Sequence, residues 1–264
     1  MKVLVTVKEV AEVDDEFGIS GLDIDDGSLE YDLNEWDDYA VEEAVRMSEA
    51  ADDVEVVTVT VGPERAEETV RMALAKGADR AIRVWDDAIA GAEFLDVGAK
   101  ADIIAAVAEA EEPDLILSGV QAGDDSNGAT GVAVAERLGF EWAAVVNDLE
   151  LDAGAETAAV HRELEGGIEE LTDVELPAVL TIQTGINEPR YASLRGIRQA
   201  QRKPLEVRSL EDLGLDASVA GSAIERVAMY EPESESDAVV WEGSADETAG
   251  ELAAFLRERG VIEG

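Results

Sequence analysis

Short apolar segments alternate with amphipathic helical segments through the first half of the chain, and this alternation limits the possible folds more than any other feature. The apolar segments, rich in Val, Ile and Leu, lie at 2–7, 54–61, 80–84 and 114–118. Helical periodicity covers 35–51, 64–76, 95–111 and 129–139. Unbroken apolar strands joined by helices are typical of a parallel sheet that is buried on both faces. Residues 13–33, rich in Asp and Gly, predict a hairpin that turns at Asp26-Gly27.

The pattern changes after residue 142, where polar and apolar residues begin to alternate. This alternation predicts an antiparallel extension with strands at 144–151, 157–164 and 168–174. Residues 177–182 predict one more buried strand. We therefore expect an α/β fold: a Rossmann-like open parallel sheet with helices on both faces, an antiparallel strand extension and a C-terminal arm. The expected division is one domain over 1–204 and an extended arm over 205–264.

Acidic residues dominate the chain, with 62 Asp and Glu against 20 Lys and Arg and a formal net charge of −42. An apolar content of 46% is too high for a disordered polyanion, so the charge indicates a folded protein adapted to a salt-saturated cytoplasm, where ions screen its self-repulsion. We expect no nucleic acid partner, because no basic stripe is available to meet phosphates. No apolar run approaches the roughly 18 residues of a membrane span, so we expect no membrane-embedded part.

Reactive side chains are scarce in this sequence. Cysteine is absent, which excludes disulfides and thiolate metal sites, and His161 is the single histidine, which excludes histidine clusters. No nucleophile–base pair and no distinct pair of carboxylates stands out from the acidic background. The residues therefore predict no catalytic group and no metal site, and any redox chemistry would reside in a bound cofactor.

The loop after the fourth apolar segment, Gly119–Gly131, combines four glycines with hydroxyl and amide side chains and leads into a helix. Glycine backbone and a helix N-terminus suit a phosphate, and ligands of open parallel sheets bind beyond the carboxyl ends of the strands. Asp124 and Asp125 suit ribose hydroxyls, a helix cap or a cation better than a phosphate. The loop is neither a Walker A sequence nor a dinucleotide fingerprint. A nucleotide site and a plain glycine-rich loop with an Asx cap both stay open at this point.

The corner at Asn34 and Trp36 is expected to face the same crevice as the end of the first strand. Asn34 is either a ligand-binding residue or simply the N-cap of the following helix. Trp36 either packs at the start of that helix or lies against a planar ligand.

Residues 187–197, NEPRYASLRGI, form a loop that leads into a short helix. Pro189 prevents a helix through the first part of this segment. The apolar residues that follow lie three apart, which is the spacing of one helix face. The segment predicts a docking element with an exposed polar–aromatic head, Arg190 and Tyr191, and an apolar tip at Leu194. A plain loop-to-helix junction is the alternative.

The chain resembles the beta subunit of electron transfer flavoproteins, and four stretches carry the likeness. They are KVLVTVKEV at 2–10, DLNEWDDYAVEEAVRM at 32–47, VTVGPERAEETVRMALAKGADRAI at 59–82, and HRELEGGIEELTDVELPAVLTIQTGINEPRYASLRGI at 161–197. The Gly119–Gly131 loop lies in order between the last two. The acidic composition favours the halophilic archaeal type of this subunit.

The resemblance implies an electron carrier rather than an enzyme. In this family an alpha subunit holds most of an FAD, while the beta subunit binds an AMP in a structural role. The positions that match AMP-binding residues are Thr6, Asn34, Glu35, Trp36, Asp37, Val61, Gln121, Ala122, Gly123, Asp124, Asp125, Ser126, Asn127, Gly128, Ala129, Thr130, Gly131 and Val132. Val13 and Trp36 match positions close to the flavin. The arm 205–264 is expected to pack on the alpha subunit.

The resemblance also implies partners, because the family carries electrons from acyl-CoA dehydrogenases of fatty acid oxidation to a membrane flavoprotein–quinone oxidoreductase. Its recognition loop corresponds to 187–199 here, with Leu194 as the apolar anchor. The matching residues are Asn187, Glu188, Pro189, Arg190, Tyr191, Ala192, Ser193, Leu194, Arg195 and Ile197. The lysine run that often ends the family's recognition helix is replaced by Arg198, Gln199, Gln201, Arg202 and Lys203.

Two other functions compete with this one. A second branch of the family carries another FAD in place of AMP and bifurcates electrons from NADH. That branch tends to show Asp-Gly-Asp-Thr in the fourth-strand loop, whereas this chain has Asp124-Asp125-Ser126-Asn127. We therefore expect AMP and simple electron transfer. The second alternative is a stand-alone nucleotide-binding stress-type module without a flavin partner.

Overall fold

The computed structural model describes residues 1–151, 154–231 and 238–262. The chain divides into two compact units, Met1–Met229 and Tyr230–Gly264. Parts of two predicted segments lie outside the described residues: 152–153 in the turn of the antiparallel extension, and 232–237 with 263–264 in the arm. Among the described residues, no helix combines the length and the apolar character that a membrane crossing requires.

The described residues of the first unit form thirteen strands and six helices. The strands are β1 Lys2–Thr6, β2 Glu9–Val13, β3 Ile19–Ser20, β4 Asp23–Ile24, β5 Leu29–Leu33, β6 Glu55–Val61, β7 Arg80–Val84, β8 Leu115–Gly119, β9 Glu141–Glu150, β10 Thr157–Leu164, β11 Ile168–Glu175, β12 Ala178–Ile182 and β13 Leu205–Arg208. The helices are α1 Glu35–Ala50, α2 Glu67–Lys76, α3 Asp87–Ala90, α4 Val97–Glu111, α5 Thr130–Leu138 and α6 Leu194–Ala200.

Nine strands form one sheet in the order β11-β10-β9-β12-β8-β1-β6-β7-β13. Seven adjacent strands of this sheet pair in parallel: β9, β12, β8, β1, β6, β7 and β13. Strands β10 and β11 continue the sheet beyond β9 as an antiparallel meander. The central strands β8 and β12 are buried along their whole length, as their unbroken apolar sequences predict. The predicted α/β class, the parallel sheet and the antiparallel extension are confirmed.

Two apolar cores lie on opposite faces of this sheet. One contains Val41 of α1 and Leu74 of α2, and the other contains Ile103 of α4 and Val134 of α5. Successive residues of a strand point to opposite faces, which is why Val3 and Val5 belong to the first core while Leu4 lies in the second. The helices therefore cover both faces, as predicted.

The predicted hairpin near the N-terminus is present, although its turn differs. Strands β2 and β5 pair antiparallel, and a smaller hairpin of β3 and β4 lies between them. Gly21, at a φ of 68°, follows β3 in the turn of the small hairpin, where a residue without a Cβ adopts this backbone readily. Asp26-Gly27 lies instead in a 3-10 turn. The Asp26-Gly27 pair therefore predicted the hairpin region correctly, but it does not form the turn of the hairpin.

The first unit extends beyond the boundary predicted at residue 204. Strand β13 pairs with β7 at the edge of the main sheet, and Leu210 and Ala220 are buried in the second core. Residues 205–229 therefore belong to the sheet unit, not to a separate arm. This correction has a simple cause: an edge strand of four residues needs no continuous apolar run, so its sequence resembles that of a loop.

The second unit contains one helix, α7 Ala245–Glu258, among its described residues. Ser244 and Glu247 form a capping box at its start. The indole of Trp241 packs edge-on against the ring of Phe255, with ring centroids 5.3 Å apart. The packing of this unit on a partner subunit stays a prediction.

Candidate functional site

A pocket opens where the carboxyl ends of β1, β6 and β8 meet. The chain proceeds from β1 to β6 on one side and later places β8 on the other side of β1, and such a reversal leaves a crevice in which α/β proteins bind ligands. Ten of the predicted nucleotide-binding residues line the pocket: Thr6, Asn34, Asp37, Val61, Gln121, Ala122, Asp125, Gly128, Ala129 and Thr130. The fold therefore gathers residues from four separate parts of the sequence, near 6, 34–37, 61 and 121–130.

The other predicted nucleotide-binding residues lie beside this pocket. Four line an adjoining open groove: Glu35, Trp36, Gly123 and Asp124. The remaining four, Ser126, Asn127, Gly131 and Val132, lie in the loop and in the first turn of α5, outside both linings.

Asn34 connects the start of α1 to the loop after β8. It occupies the N-cap position, but its side chain makes no capping bond to the helix. Its Nδ2 instead donates to the carbonyl oxygen of Gln121 at 2.8 Å, and its Oδ1 accepts from the backbone N–H of Gly123 at 3.2 Å. The residue is only 1% exposed. The interpretation of Asn34 as a simple N-cap is therefore wrong, because the side chain holds the loop in place.

Asp37 is a buried carboxylate that joins three elements. From the first turn of α1, its two oxygens accept the backbone N–H groups of Lys8 at 2.8 Å and of Gly119 at 3.0 Å. Burial raises the pKa of Asp37 to about 7, although these hydrogen bonds act in the opposite direction. A Cβ on Gly119 would lie 2.6 Å from Asp37 Oδ1, so only glycine allows this contact.

Two lysines that the sequence interpretation missed neutralise the acidic tip of the loop. Lys8 Nζ contacts both Asp124 and Asp125, and Lys100 Nζ of α4 contacts Asp125 at 2.8 Å. Burial alone would raise the pKa of Asp125, but Lys100, the N–H of Asn127 and Lys8 outweigh it and bring the pKa to about 2. Lys8 lies two residues after the end of β1, and this position could have identified it as a site residue from the sequence. Lys100 lies far from the loop in sequence, and no sequence pattern connects it to the site.

The pocket residues fit a nucleoside monophosphate. No side chain caps α5, and Gly128, Ala129 and Thr130 at its start line the pocket, so a helix N-terminus lies at this wall. Lys8 and Lys100 bring two ammonium groups to the same lining, where they are paired with Asp125. Apolar side chains of the lining, Val59, Val61 and Ile104, suit a base. Cationic and apolar groups thus occur together, as a phosphate joined to a planar base requires.

Val13 and Trp36, the predicted flavin-proximal residues, line the adjoining groove together. The groove has a volume of about 1060 Å³ and is also lined by Tyr31 and Arg226. The indole Nε1 of Trp36 donates to Gln183 Oε1 at 3.0 Å, which fixes the ring at the mouth of the groove. The structure places both residues in the lining of one groove, next to the pocket at the ends of β1, β6 and β8.

The predicted docking segment is exposed at some positions and anchored at others. Tyr191 is 97% exposed and Leu194 is 78% exposed, while Ser193 Oγ caps α6 by accepting from Gly196 N–H. Arg190, predicted in the exposed head, is instead bound to two glutamates of α1. This part of the prediction is corrected, since a guanidinium that pairs with two carboxylates of α1, one of them buried, is tied to that helix. The exposed head consists of Tyr191 alone.

Comparisons with known proteins agree with this geometry. A sequence model of the electron transfer flavoprotein domain matches residues 21–213. The chain is 48% identical to the electron transfer flavoprotein subunit beta of Methylophilus methylotrophus over 98% of both chains. It is 36% identical to the Mus musculus subunit beta over 99% of both chains, and 32% identical to that of Bacillus subtilis over 99% of this chain and 100% of the relative. This chain therefore belongs to the beta-subunit family of electron transfer flavoproteins.

Proposed function

We propose that this chain is the beta subunit of a heterodimeric electron transfer flavoprotein and has no catalytic group of its own. The observation that carries the proposal is the match to beta subunits along 98% of both chains. An FAD held mostly by an alpha subunit supplies the electron-accepting chemistry when it is bound. This chain contributes Val13 and Trp36 at the groove beside the nucleotide pocket. The second unit, Tyr230–Gly264, would pack on the alpha subunit.

The pocket at the ends of β1, β6 and β8 is proposed to hold AMP in a structural role. The backbone of Gly128–Thr130 and the ammonium groups of Lys8 and Lys100 would hold the phosphate. The wall that contains Val61 and Ile104 would take the base. Because the pocket draws on three strands and three helices, the nucleotide would stabilise the packing of helices α1, α4 and α5 on the sheet.

Segment 187–199 is proposed to dock on acyl-CoA dehydrogenases, from which electrons would pass to a membrane flavoprotein–quinone oxidoreductase. An exposed leucine next to an exposed tyrosine, on a loop with anchored ends, suits a transient complex with a small apolar centre. The bifurcating alternative would place a second FAD in the AMP pocket. The stand-alone alternative would need no flavin partner.

Purification from the native host separates these functions. We expect a heterodimer with a flavin absorbance spectrum, and mass spectrometry of the released nucleotides should give one FAD and one AMP. Two FAD molecules without AMP would establish the bifurcating type. A colourless homodimer with a bound nucleotide would refute the electron-carrier proposal.

We also propose that the protein works in a salt-rich cytoplasm, of the halophilic archaeal type that its charge suggests. The relatives described above are bacterial and mammalian, so this proposal rests on the net charge of −42. The screening length falls from about 30 Å at 0.01 M salt to about 3 Å at 1 M, which removes most of the repulsion between surface carboxylates.

The salt proposal predicts a steep dependence of thermal stability on ionic strength. We expect the melting temperature to rise by about 10 °C or more between roughly 0.01 M and 1 M KCl, since several kcal/mol of repulsion are screened. Differential scanning fluorimetry across a KCl series measures this shift, and a NaCl series serves as the control. A melting temperature that is independent of both salts contradicts the proposal.

A further inference from the structure

We propose that Arg190 is a positioning residue: its ion pairs with α1 hold the 187–197 segment in the conformation that presents Tyr191 and Leu194 to a partner. The inference rests on the docking role of this segment proposed above. Arg190 would hold the loop in this conformation before the partner binds.

The contacts of Arg190 join the loop to one face of α1. Its Nε and Nη2 donate to the two carboxylate oxygens of Glu42 at 2.8 and 2.9 Å. Its Nη1 and Nη2 donate to those of Glu49 at 2.6 and 2.9 Å. The backbone N–H of Arg190 also donates to Glu42, at 3.1 Å. Five hydrogen bonds therefore fix both the side chain and the backbone of one loop residue.

The two glutamates differ in how much the loss of their contact with Arg190 would cost. Glu42 is only 8% exposed, so removing its cationic partner would leave a buried carboxylate without compensation. Glu49 is 59% exposed and returns to water when its contact is lost. A planar guanidinium donates hydrogen bonds to two carboxylates in a fixed geometry, whereas a lysine ammonium is a point charge without that geometry. Arg190→Lys therefore keeps the charge near Glu42 and removes the rigid geometry.

Further contacts anchor both ends of the segment. At the start, Asn187 Nδ2 donates to the carbonyl oxygen of Tyr39 and to Glu43, both at 3.0 Å. At the other end, a Cβ on Gly196 would collide with the carbonyl oxygen of Ala75, so α6 lies directly on α2. Among these anchoring residues, Arg190 lies closest to Tyr191 in sequence. In the described part of the chain, no ion pair to another element is seen for residues 191–193, which connect Arg190 to α6.

A loop held in its binding conformation loses less conformational freedom when a partner docks. Each side chain or loop residue that must be ordered on binding opposes association through lost conformational entropy. Releasing the Arg190 contact should therefore weaken docking and leave the electron-transfer step itself unchanged. The half-saturating concentration of the partner would rise, and the limiting rate would stay the same.

The test uses the purified heterodimer with recombinant medium-chain acyl-CoA dehydrogenase reduced by octanoyl-CoA as the probe. The variants are Arg190→Lys and, because Glu49 is exposed and tolerates change, Glu49→Gln. The matched controls are Arg137→Lys and Asp102→Asn, which alter an arginine–carboxylate pair between α4 and α5 that does not contact the loop. Leu194→Ala is included as the test of docking itself.

Arg190→Lys is expected to raise the half-saturating dehydrogenase concentration about tenfold, which corresponds to roughly 1.4 kcal/mol. Glu49→Gln should give a smaller increase in the same direction. Flavin content and limiting rate should match the wild type. Amide hydrogen exchange at 190–197 should accelerate about tenfold in Arg190→Lys and stay unchanged in the controls, and this readout needs no partner.

Different failures have different meanings. If Leu194→Ala slows docking but Arg190→Lys changes neither the half-saturating concentration nor the exchange rates, the positioning role is refuted and the docking function stands. Loss of flavin from Arg190→Lys would also refute it, because the arginine would then support the fold in general. If Leu194→Ala has no effect, the docking function fails and this inference fails with it.

Discussion

Replacing Leu194 with alanine should slow electron acceptance from an acyl-CoA dehydrogenase by about 30-fold at sub-saturating partner concentration, which corresponds to the roughly 2 kcal/mol typical of a central anchor residue. Leu194 is 78% exposed at the first position of α6, so its side chain has little packing to lose within this chain. The melting temperature and the content of FAD and AMP should therefore stay at wild-type values. Stopped-flow reduction of the flavin by the pre-reduced dehydrogenase measures the effect.

Leu171 provides a matched control for this variant. It is 80% exposed on strand β11, at the edge of the sheet, and lies outside both proposed sites. Leu171→Ala removes the same apolar area and should leave the rate unchanged. An equal loss of rate in both variants would indicate a nonspecific effect. Loss of FAD from Leu194→Ala would show that the leucine supports the fold, which contradicts the docking role.

Replacing Asp37 should have the largest effect on stability. Asp37→Ala removes the acceptor for two buried backbone N–H groups, those of Lys8 and Gly119, and each unsatisfied donor costs about 1–3 kcal/mol. We therefore expect a loss of roughly 2–4 kcal/mol in the free energy of unfolding and a nucleotide pocket that no longer retains AMP. Urea unfolding and mass spectrometry of the bound nucleotide provide the two measurements.

The raised pKa of Asp37 also predicts a specific pH dependence. Its pKa is about 7 in the folded protein and near 3.8 in the unfolded chain, so the folded state binds the extra proton between these values. The stabilising contribution is complete below the unfolded value and is lost as the pH rises toward about 7. The difference in unfolding free energy between wild type and Asp37→Asn should therefore shrink as the pH rises from 4 to 7, because the asparagine does not titrate.

Asp15→Asn, at an exposed carboxylate, is the control for this series. It removes one carboxylate from a position exposed to solvent, so it separates the effect of losing a charge from the effect of burial. If the Asp37→Asn difference stays constant across this range, the buried carboxylate keeps an ordinary pKa and its hydrogen bonds outweigh its burial.

The sequence predicted the main sheet because burial on two faces requires apolar residues at every position. Segments such as Leu115–Gly119 and Ala178–Ile182 meet this requirement along their whole length, so pattern alone identified them as strands. Strand β13 does not meet it, because an edge strand depends on hydrogen bonds to one neighbour. The boundary of the first unit was therefore placed too early.

For the candidate sites, the sequence identified the segments that carry them but not the residues that contact those segments. Glycine-rich composition and position after a buried strand identified the Gly119–Gly131 loop, and a proline followed by helical spacing identified the 187–197 segment. The partners of these segments come from distant parts of the chain. Lys100 reaches the loop from α4, and Glu42 binds Arg190 across 148 positions of sequence.

From residue types and their spacing alone came the α/β class, the scarcity of reactive side chains, and the location of the candidate nucleotide loop and the candidate docking segment. These features depend on local periodicity and composition, which can be read along the chain. Only the tertiary structure decided that Asn34 and Asp37 hold the loop, that Lys8 and Lys100 neutralise its tip, and that Arg190 points inward. Hydrogen bonds and ion pairs are made between atoms a few ångströms apart, and which distant residues come that close is determined by how the helices pack on the sheet.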